Sequence, residues 1–418
     1  MYLSHYVKKI EIEDDYQLLF NINSGKIIKI NNERLEYILK QPDNEIPHFL
    51  KENFLTSNIN REIDKINERY YEDKKKGDHL ILTIMLNKDC NMKCKYCHEN
   101  GFKNGVYLDD KIANLILKKL RRYILVNKFK KVSIYYYGGE PFLSISRIDT
   151  LSKAILKLQN ELKFELDFSI STNGTLLNDK SVDILVSNHI KSVQVSIDGP
   201  KFIHDKRRQL SGKSSFDIIM KNINKYKEHI NFLIRCNIDK HNYLYFDQLL
   251  KELKFRIGIN DLNFYFDFVS NTHNQTKHNH KYIFSTEEQM QIIKELWRIQ
   301  INNNIKLKSK NIFEGRCGDI SMANLTIDIN GNLYTCPGLC SLENFKVGNI
   351  KYGYYPVMHD LICNKLSNKC SKCEFLLVCR GGCRAQAVIN NKSINSCCCK
   401  KEYYNNVLPE YIRLKYDI

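Results

Sequence analysis

Three cysteines, Cys90, Cys94 and Cys97, stand in the spacing C-x3-C-x2-C. Three thiolates on one tight loop can hold three corners of a 4Fe–4S cube, leaving the fourth iron open to a small molecule. A structural zinc site closes on four ligands instead. His98 adjoins Cys97 and is poorly placed to complete a tetrahedron. A second array runs from Cys317 through Gly331-x4-Cys336 to Cys370-x2-Cys373-x5-Cys379-x3-Cys383, and ends in Cys397-Cys398-Cys399. Spacing alone leaves that array open between zinc, which C-x2-C pairs often hold, and iron–sulfur clusters. Cys236, inside a strand pattern, and Cys363, in an apolar stretch, read as ordinary buried thiols.

The first loop must be positioned by what precedes it. ILTIML (81–86) reads as a strand that ends just before Cys90. Further strands are expected at 132–137, 164–170, 192–197, 232–238 and 262–269, with helical patterns between them at 109–126, 147–162, 178–187, 215–228 and 243–254. Six such units indicate a parallel sheet with helices outside, either an open doubly wound sheet or a partial barrel. In parallel α/β folds the chemistry lies at the carboxyl ends of the strands. Gly138-Gly139-Glu140-Pro141 follows the second strand, Ser171-Thr172-Asn173-Gly174 the third, and Ser196-Ile197-Asp198-Gly199 closes the fourth. Each is weak alone, since Gly and Asn are common turn residues. With the cysteine loop, they place four motifs on one rim.

Before this region, residues 1–76 read as a small β/α segment. Two strands turn at Asp14-Asp15, a third follows Ser24-Gly25, and a helix starts near Asn32. Its charged end, YYEDKKKGD, reads as a linker. Residues 77–309 hold the strand–helix units. Residues 310–418 carry eleven of the fifteen cysteines and a hairpin turning at Asn330-Gly331. With little apolar core there, metal is expected to supply folding energy.

The net charge is +17, from 64 basic and 47 acidic residues. This suits a solvated basic surface or an anionic partner, an acidic peptide ahead of nucleic acid. The N-terminus lacks an apolar signal core, and no apolar run is long enough to span a bilayer. The expected location is the cytoplasm, where clustered cysteines serve as metal ligands rather than disulfides.

C-x3-C-x-aromatic-C, with Tyr96 as the aromatic, resembles the signature of radical S-adenosylmethionine (SAM) enzymes, and GGEP resembles their methionine-binding motif. The resemblance implies a partial (β/α)6 TIM-type barrel, and a 4Fe–4S cluster whose open iron is chelated by the amino and carboxylate groups of SAM. One electron then cleaves SAM to methionine and a 5′-deoxyadenosyl radical, which abstracts a substrate hydrogen. It further implies that Gly138, Gly139 and Glu140 engage the methionine amino group and that Tyr96 lies near adenine. Ser171, Asn173, Ser196 and Asp198 become candidates for the SAM carboxylate and ribose.

The C-terminal array is similar to the seven-cysteine SPASM pattern at every position. That resemblance implies two auxiliary 4Fe–4S clusters, making three in all. Cys317, Cys336 and Cys383 would bind the first; Cys370, Cys373, Cys379 and one cysteine of the terminal run would bind the second. Cys399 is favoured, because a polar–aromatic helix should begin at Lys400, while Cys397 and Cys398 stay open. Cys340 could complete the first cluster, which otherwise keeps an open iron for a substrate thiolate.

SPASM enzymes mostly modify ribosomally made peptides. The expected partners are a precursor peptide, with an acidic leader, and a one-electron donor such as a flavodoxin or ferredoxin, with neither membrane nor nucleic acid. Residues 1–76 resemble a winged-helix leader-recognition element, to which a leader would add a strand; a plain N-terminal cap on the barrel is the simpler reading. The expected reaction is a thioether or carbon–carbon crosslink, or another oxidation. The alternative within the enzymes is an anaerobic sulfatase maturase, which SIDGPKFIHDKRR (196–208) also resembles. Where that family carries an aspartate proposed as general base, after the cysteine of G-x4-C, this chain has Pro337, which cannot take a proton. An alternative of another class is a metal-stapled nucleic-acid-binding protein, which would not need an open-sided cysteine loop on an α/β rim. No catalytic acid or base can be named. Tyr135, Tyr136 and Tyr137 invite a radical-relay reading, although tyrosine in a strand usually packs a core.

Overall fold

Alternating apolar residues between helical patterns build the centre of the molecule. The computed structural model describes residues 1–13, 15–75, 77–97, 105–258, 263–270, 282–307, 321–340, 342–363, 366–391, 393–394 and 396–418. Six strands, β1 (His79–Met85), β2 (Lys131–Tyr137), β3 (Glu165–Thr172), β4 (Ser192–Ser196), β5 (Asn231–Ile238) and β6 (Phe264–Phe268), pair in parallel, each with the next in the chain. A doubly wound sheet reverses its strand order partway. Here the order never reverses and β6 does not return to β1 among the described residues, the winding of an open partial barrel.

Between the strands lie helices α1 (Asp110–Asn127), α2 (Ile145–Leu162), α3 (Asp179–Ser187), α4 (Ser215–Tyr226) and α5 (Phe246–Ile257), with α6 (Thr286–Asn302) after β6. Their starts are set by capping side chains. Asp109 accepts from the Ile112 N–H at 2.7 Å, and Asn178 and Ser285 form capping boxes with Ser181 and Glu288. The sequence reading did not single out α6, although its Ser285/Glu288 box was visible.

The strand alternation sorts two faces. Val132, Ile134 and Tyr136, like Phe232, Ile234, Cys236 and Ile238, are buried on one face. The partly open face carries Ser133, Tyr135 and Tyr137 on β2, Ser171 on β3, Gln194 and Ser196 on β4, and Arg235 and Asn237 on β5. Tyr136 is therefore core, stacked on Phe168 at 6.0 Å, while Tyr135 and Tyr137 face the barrel interior.

Beyond β1 on its other side, the sheet continues with β7 (Asn324–Ile327), parallel to β1, then antiparallel β8 (Asn332–Tyr334), β9 (Gly348–Asn349) and β10 (Gly353–Tyr354). The expected hairpin is present between β7 and β8, with Gly331 at φ +78°.

At the N-terminus, strands Val7–Glu13, Tyr16–Asn21 and Ile27–Asn31 form a separate antiparallel sheet, followed by helices Asn32–Lys40, His48–Phe54 and Ile59–Lys75. The middle strand is buried on both sides: Leu19 packs with Leu35, Ile38 and Phe54 in a small core, while Leu18 and Phe20 join the main core. The last helix corrects the linker reading of YYEDKKKGD. Glu and Lys are good helix formers, and this stretch docks onto the cysteine-rich region. Lys74 Nζ donates to the Leu361 carbonyl at 2.9 Å, Arg380 pairs with Asp73 at 2.8 Å, and Asn67 donates to the Ser371 carbonyl at 3.0 Å. A helix at Lys401–Tyr416 closes the chain where the polar–aromatic helix was expected. Among the described residues, no helix is long and apolar enough to cross a membrane.

Candidate active site

The loop leaving β1 carries Cys90, Cys94 and Cys97, with Cys94 buried and the other two half-buried. Two straps hold it. Toward β2, the Gly139 N–H donates to the Asn87 carbonyl at 3.2 Å and the Glu140 N–H to the Asp89 carbonyl at 2.7 Å. A Cβ on Gly138 or Gly139 would lie 2.4 Å from Asn87 O or 2.1 Å from Asp89 O. The glycines are thus required by backbone packed on backbone, beside any need to approach a ligand. The second strap is a two-stranded antiparallel ladder, Met92–Cys94 against Arg208–Leu210, which periodicity did not reveal.

Glu140 is fully buried. Its Oε1 accepts from the Phe142 N–H at 3.0 Å and Thr172 Oγ1 at 2.7 Å, and its Oε2 from the Asn173 N–H at 2.7 Å. Burial pushes this carboxyl above its ordinary pKa, and the three donors partly offset the rise. The carboxylate therefore braces the end of β2 to the end of β3. Asn173 extends the brace to the cysteine loop, its Nδ2 donating to Asn91 Oδ1 at 2.7 Å and lying 3.8 Å from Cys90 Sγ. Ser171, on the interior face, accepts from Gln194 Nε2 at 2.8 Å. Ser196, also on that face, pairs in register with Arg235.

Tyr96 and Asp198 meet directly, the phenol donating to Asp198 Oδ2. Asn237 completes the cluster: its N–H and Nδ2 donate to Asp198 Oδ1 at 2.9 and 3.0 Å, and its Nδ2 also reaches the Tyr96 oxygen at 3.1 Å. Arg208 Nη1 donates to the same phenol at 2.6 Å, and Arg207 lies 5.1 Å from the centre of the Tyr96 ring. Burial works against a charge on Asp198, but the guanidinium groups of Arg208 and Arg207 outweigh it and hold the carboxyl below its ordinary pKa. Beneath, His204 Nδ1 accepts the Asp198 N–H at 3.2 Å. Thr172, Arg207 and Arg208 stood within quoted sequence motifs without being assigned a role, and Asn237 was not singled out. For Asn237 a signal existed, since it falls on the polar side of the β5 alternation.

In the C-terminal array, Cys370 Sγ lies 3.1 Å from Cys397 Sγ, while Cys399 is exposed. Cys373, Cys379 and Cys383 are half-buried, and Cys398 lies against Gly382, its N–H donating to the Gly381 carbonyl at 3.0 Å. Cys336 caps a short helical turn, Pro337–Leu339, and buried Cys340 follows it. Cys317 and His98 lie outside the described residues. Cys236 is buried as expected. Cys363 is not; it is exposed at the end of helix Pro356–Cys363, because Met358, Leu361 and Ile362 take the buried side.

The donor set fits iron–sulfur chemistry. Among the described residues, no three His, Cys, Asp or Glu side chains converge on a single metal ion. Cys90, Cys94 and Cys97 share the short segment that follows β1, so three thiols are available to one cluster.

Residues 84–253 match the Radical SAM superfamily. The chain is 24% identical over 444 residues to a radical SAM cyclopropyl synthase, TigE, of Paramaledivibacter caminithermalis, covering 91% of this chain and 89% of that protein. It is 24% identical over 376 residues to a cysteine-type anaerobic sulfatase-maturating enzyme of Clostridium perfringens (strain 13 / Type A), covering 81% and 98%. Its fold is similar to native anSMEcpe with bound AdoMet and Kp18Cys peptide (TM-score 0.63, 21% identity, 81% of this chain and 100% of that one). It is also similar to Streptococcus suis SuiB bound to precursor peptide SuiA (TM-score 0.55, 18% identity, 94% and 98%). The cysteine loop at the end of β1, the braced rim around it and these matches together make residues 84–253 a radical SAM domain, and the chain a radical SAM enzyme related to peptide maturases and sulfatase maturases.

Proposed function

We propose that this enzyme matures a ribosomally made peptide, abstracting a hydrogen from an unactivated C–H position to form a thioether or carbon–carbon crosslink or another oxidised product. When bound, the cluster and SAM supply the electron and the 5′-deoxyadenosyl radical that the reaction uses. Cys90, Cys94 and Cys97 would hold that cluster, and the Gly138-Gly139 backbone, Tyr96, Ser171, Asn173, Ser196 and Asp198 would form the SAM site. Of these, Asp198 fixes Tyr96, and Asn173 fixes the cysteine loop through Asn91. Residues 310–418 would form a SPASM domain with two auxiliary clusters, drawing on Cys317, Cys336, Cys370, Cys373, Cys379, Cys383 and the terminal run.

One observation carries the peptide reading. The sulfatase-maturase structure is matched along its whole length, yet covers only 81% of this chain, whereas SuiB, seen with its precursor peptide, covers 94%. We read the N-terminal sheet as a place where a leader peptide would dock. Its Ile27–Asn31 strand pairs on one side only among the described residues, and an open edge of this sort can accept an added strand. Formylglycine formation is the second reading, favoured by the 98% coverage of the Clostridium perfringens enzyme. Pro337 after Cys336 stands against it, since it leaves no proton acceptor at that position.

The test is anaerobic incubation of the cluster-reconstituted enzyme with SAM, dithionite and a co-expressed precursor peptide, followed by mass spectrometry. Formation of 5′-deoxyadenosine by the wild type but not by Cys94→Ala, with a peptide product lacking two hydrogens, is the expected result. Oxidation of a serine CH2OH, or of a cysteine CH2SH with loss of its sulfur, to an aldehyde that a hydrazine probe captures would establish the second reading instead.

A further inference from the structure

Arg208 stands directly opposite Cys94 in the ladder that straps the cysteine loop, followed by Gln209 opposite Lys93 and Leu210 opposite Met92. Its side chain is buried, 9% exposed. A buried guanidinium normally takes a carboxylate to itself, as its neighbour Arg207 does with Asp239 at 2.7 Å. Arg208 does not. Among the described residues, its nearest carboxylate oxygen, on Asp198, is 3.8 Å away and already accepts from Tyr96, its Nη1 is given to the Tyr96 phenol, and its Nε has no hydrogen-bond partner. Residues directly opposite in an antiparallel ladder carry their side chains on the same face, with Cβ atoms about 4.5–5.5 Å apart, which brings the Arg208 side chain beside Cys94. The chain thus keeps an incompletely paired cation, at a desolvation cost, against the loop that bears three thiols.

Such a charge has a physical consequence for whatever the thiolates hold. A cation in a medium of low dielectric stabilises the more negative of two redox states, and net charge and hydrogen bonding around the sulfurs are among the protein's levers on a cluster's potential. We propose that Arg208 is a positioning residue for the radical SAM cluster: its charge beside Cys94 makes that cluster easier to reduce, and its hydrogen bond to Tyr96 ties the cysteine loop to the Asp198–Asn237 site. The inference rests on the assignment of a cluster to Cys90, Cys94 and Cys97.

The experiment is an EPR-monitored redox titration of the full, reconstituted enzyme, following the reduced-cluster signal that changes when SAM is added. Four proteins are compared: wild type, Arg208→Gln, Arg208→Lys and, as a control removing the same charge from the surface, Lys206→Gln. The expected result is a more negative midpoint potential in Arg208→Gln, with Arg208→Lys and Lys206→Gln close to wild type. If Arg208→Gln assembles no cluster while Arg208→Lys assembles one of wild-type potential, charge is again the discriminating property and the role stands. An unchanged potential in Arg208→Gln, or equal loss of cluster in both Arg208 variants, overturns it. Absence of any SAM-responsive signal in the wild type would instead strike at the cluster assignment itself.

Discussion

Glu140 and Asn173 are joined by a hydrogen bond of 2.7 Å from the Asn173 backbone N–H to Glu140 Oε2, which couples the rim of β2 to the rim of β3. Removing the carboxylate in Glu140→Ala strands two backbone N–H groups and the Thr172 hydroxyl in a buried site. Unpaired buried donors cost about 1–3 kcal/mol each before relaxation, so a loss of about 3 kcal/mol is expected in denaturant unfolding. Glu140→Gln keeps an acceptor and removes a charge that burial disfavours, so its loss should stay near 1 kcal/mol. Equal stability of Glu140→Ala and wild type would show that the brace contributes nothing.

His204 makes a pH-dependent contribution. Burial, followed by the nearby Arg208 charge, pushes its pKa down to about 3 from the ordinary 6.5. A depressed histidine pKa means that the unfolded chain binds a proton that the native chain refuses. Stability due to this group is complete above about pH 6.5 and falls as pH drops toward 3, by at most about 1.4 kcal/mol per pH unit. His204→Asn offers an oxygen to the Asp198 N–H without titrating in this range. Unfolding free energies measured from pH 7 to 4 should slope less for His204→Asn than for wild type. Parallel slopes would mean that His204 does not titrate with folding.

What could be read in the sequence is what local spacing dictates. The cysteine loop, the GGEP turn and the six strands lie within short windows where periodicity and turn chemistry operate, and they fall where expected. The choice between a doubly wound sheet and a partial barrel was not local, because it depends on which strand lies beside which. Glu140 shows the same limit within a motif. The motif was visible, yet the partners of its carboxylate, Thr172 and Asn173, come from another strand. The pairing of Arg208 with Cys94 joins segments on either side of β2, β3 and β4, and no periodicity could report it. Helix Ile59–Lys75 was misread because its charged residues suit both a linker and a helix face, and only docking against Leu361, Ser371 and Arg380 decides between them.

Among the terminal cysteines, the sequence favoured Cys399 by its place before the last helix. The fold sets Cys397 against Cys370, with Cys399 exposed. Cys397→Ser should therefore lower the iron content of reconstituted enzyme by one cluster's worth, with a matching fall in visible absorbance, whereas Cys399→Ser should keep both at the wild-type level. The reverse pattern would return the ligand role to Cys399.

Arg207 and Asp239 form a buried pair, with Nη1 2.7 and 2.8 Å from the two carboxylate oxygens and both side chains under a tenth exposed. Either residue alone would be a buried, uncompensated charge, so Arg207→Ala should cost about 3–5 kcal/mol. Removing both charges is different, because the desolvation penalty disappears with the attraction. Arg207→Met combined with Asp239→Leu should destabilise by clearly less than the sum of the two single changes, read by urea unfolding in a double-mutant cycle. The Arg207 guanidinium also lies over the Tyr96 ring, so its loss should loosen the cysteine loop as well as the barrel. The cycle separates the two effects: a loop contribution persists in the double variant, whereas the cost of the stranded carboxylate does not. Strict additivity would mean that the two side chains act independently despite their contact.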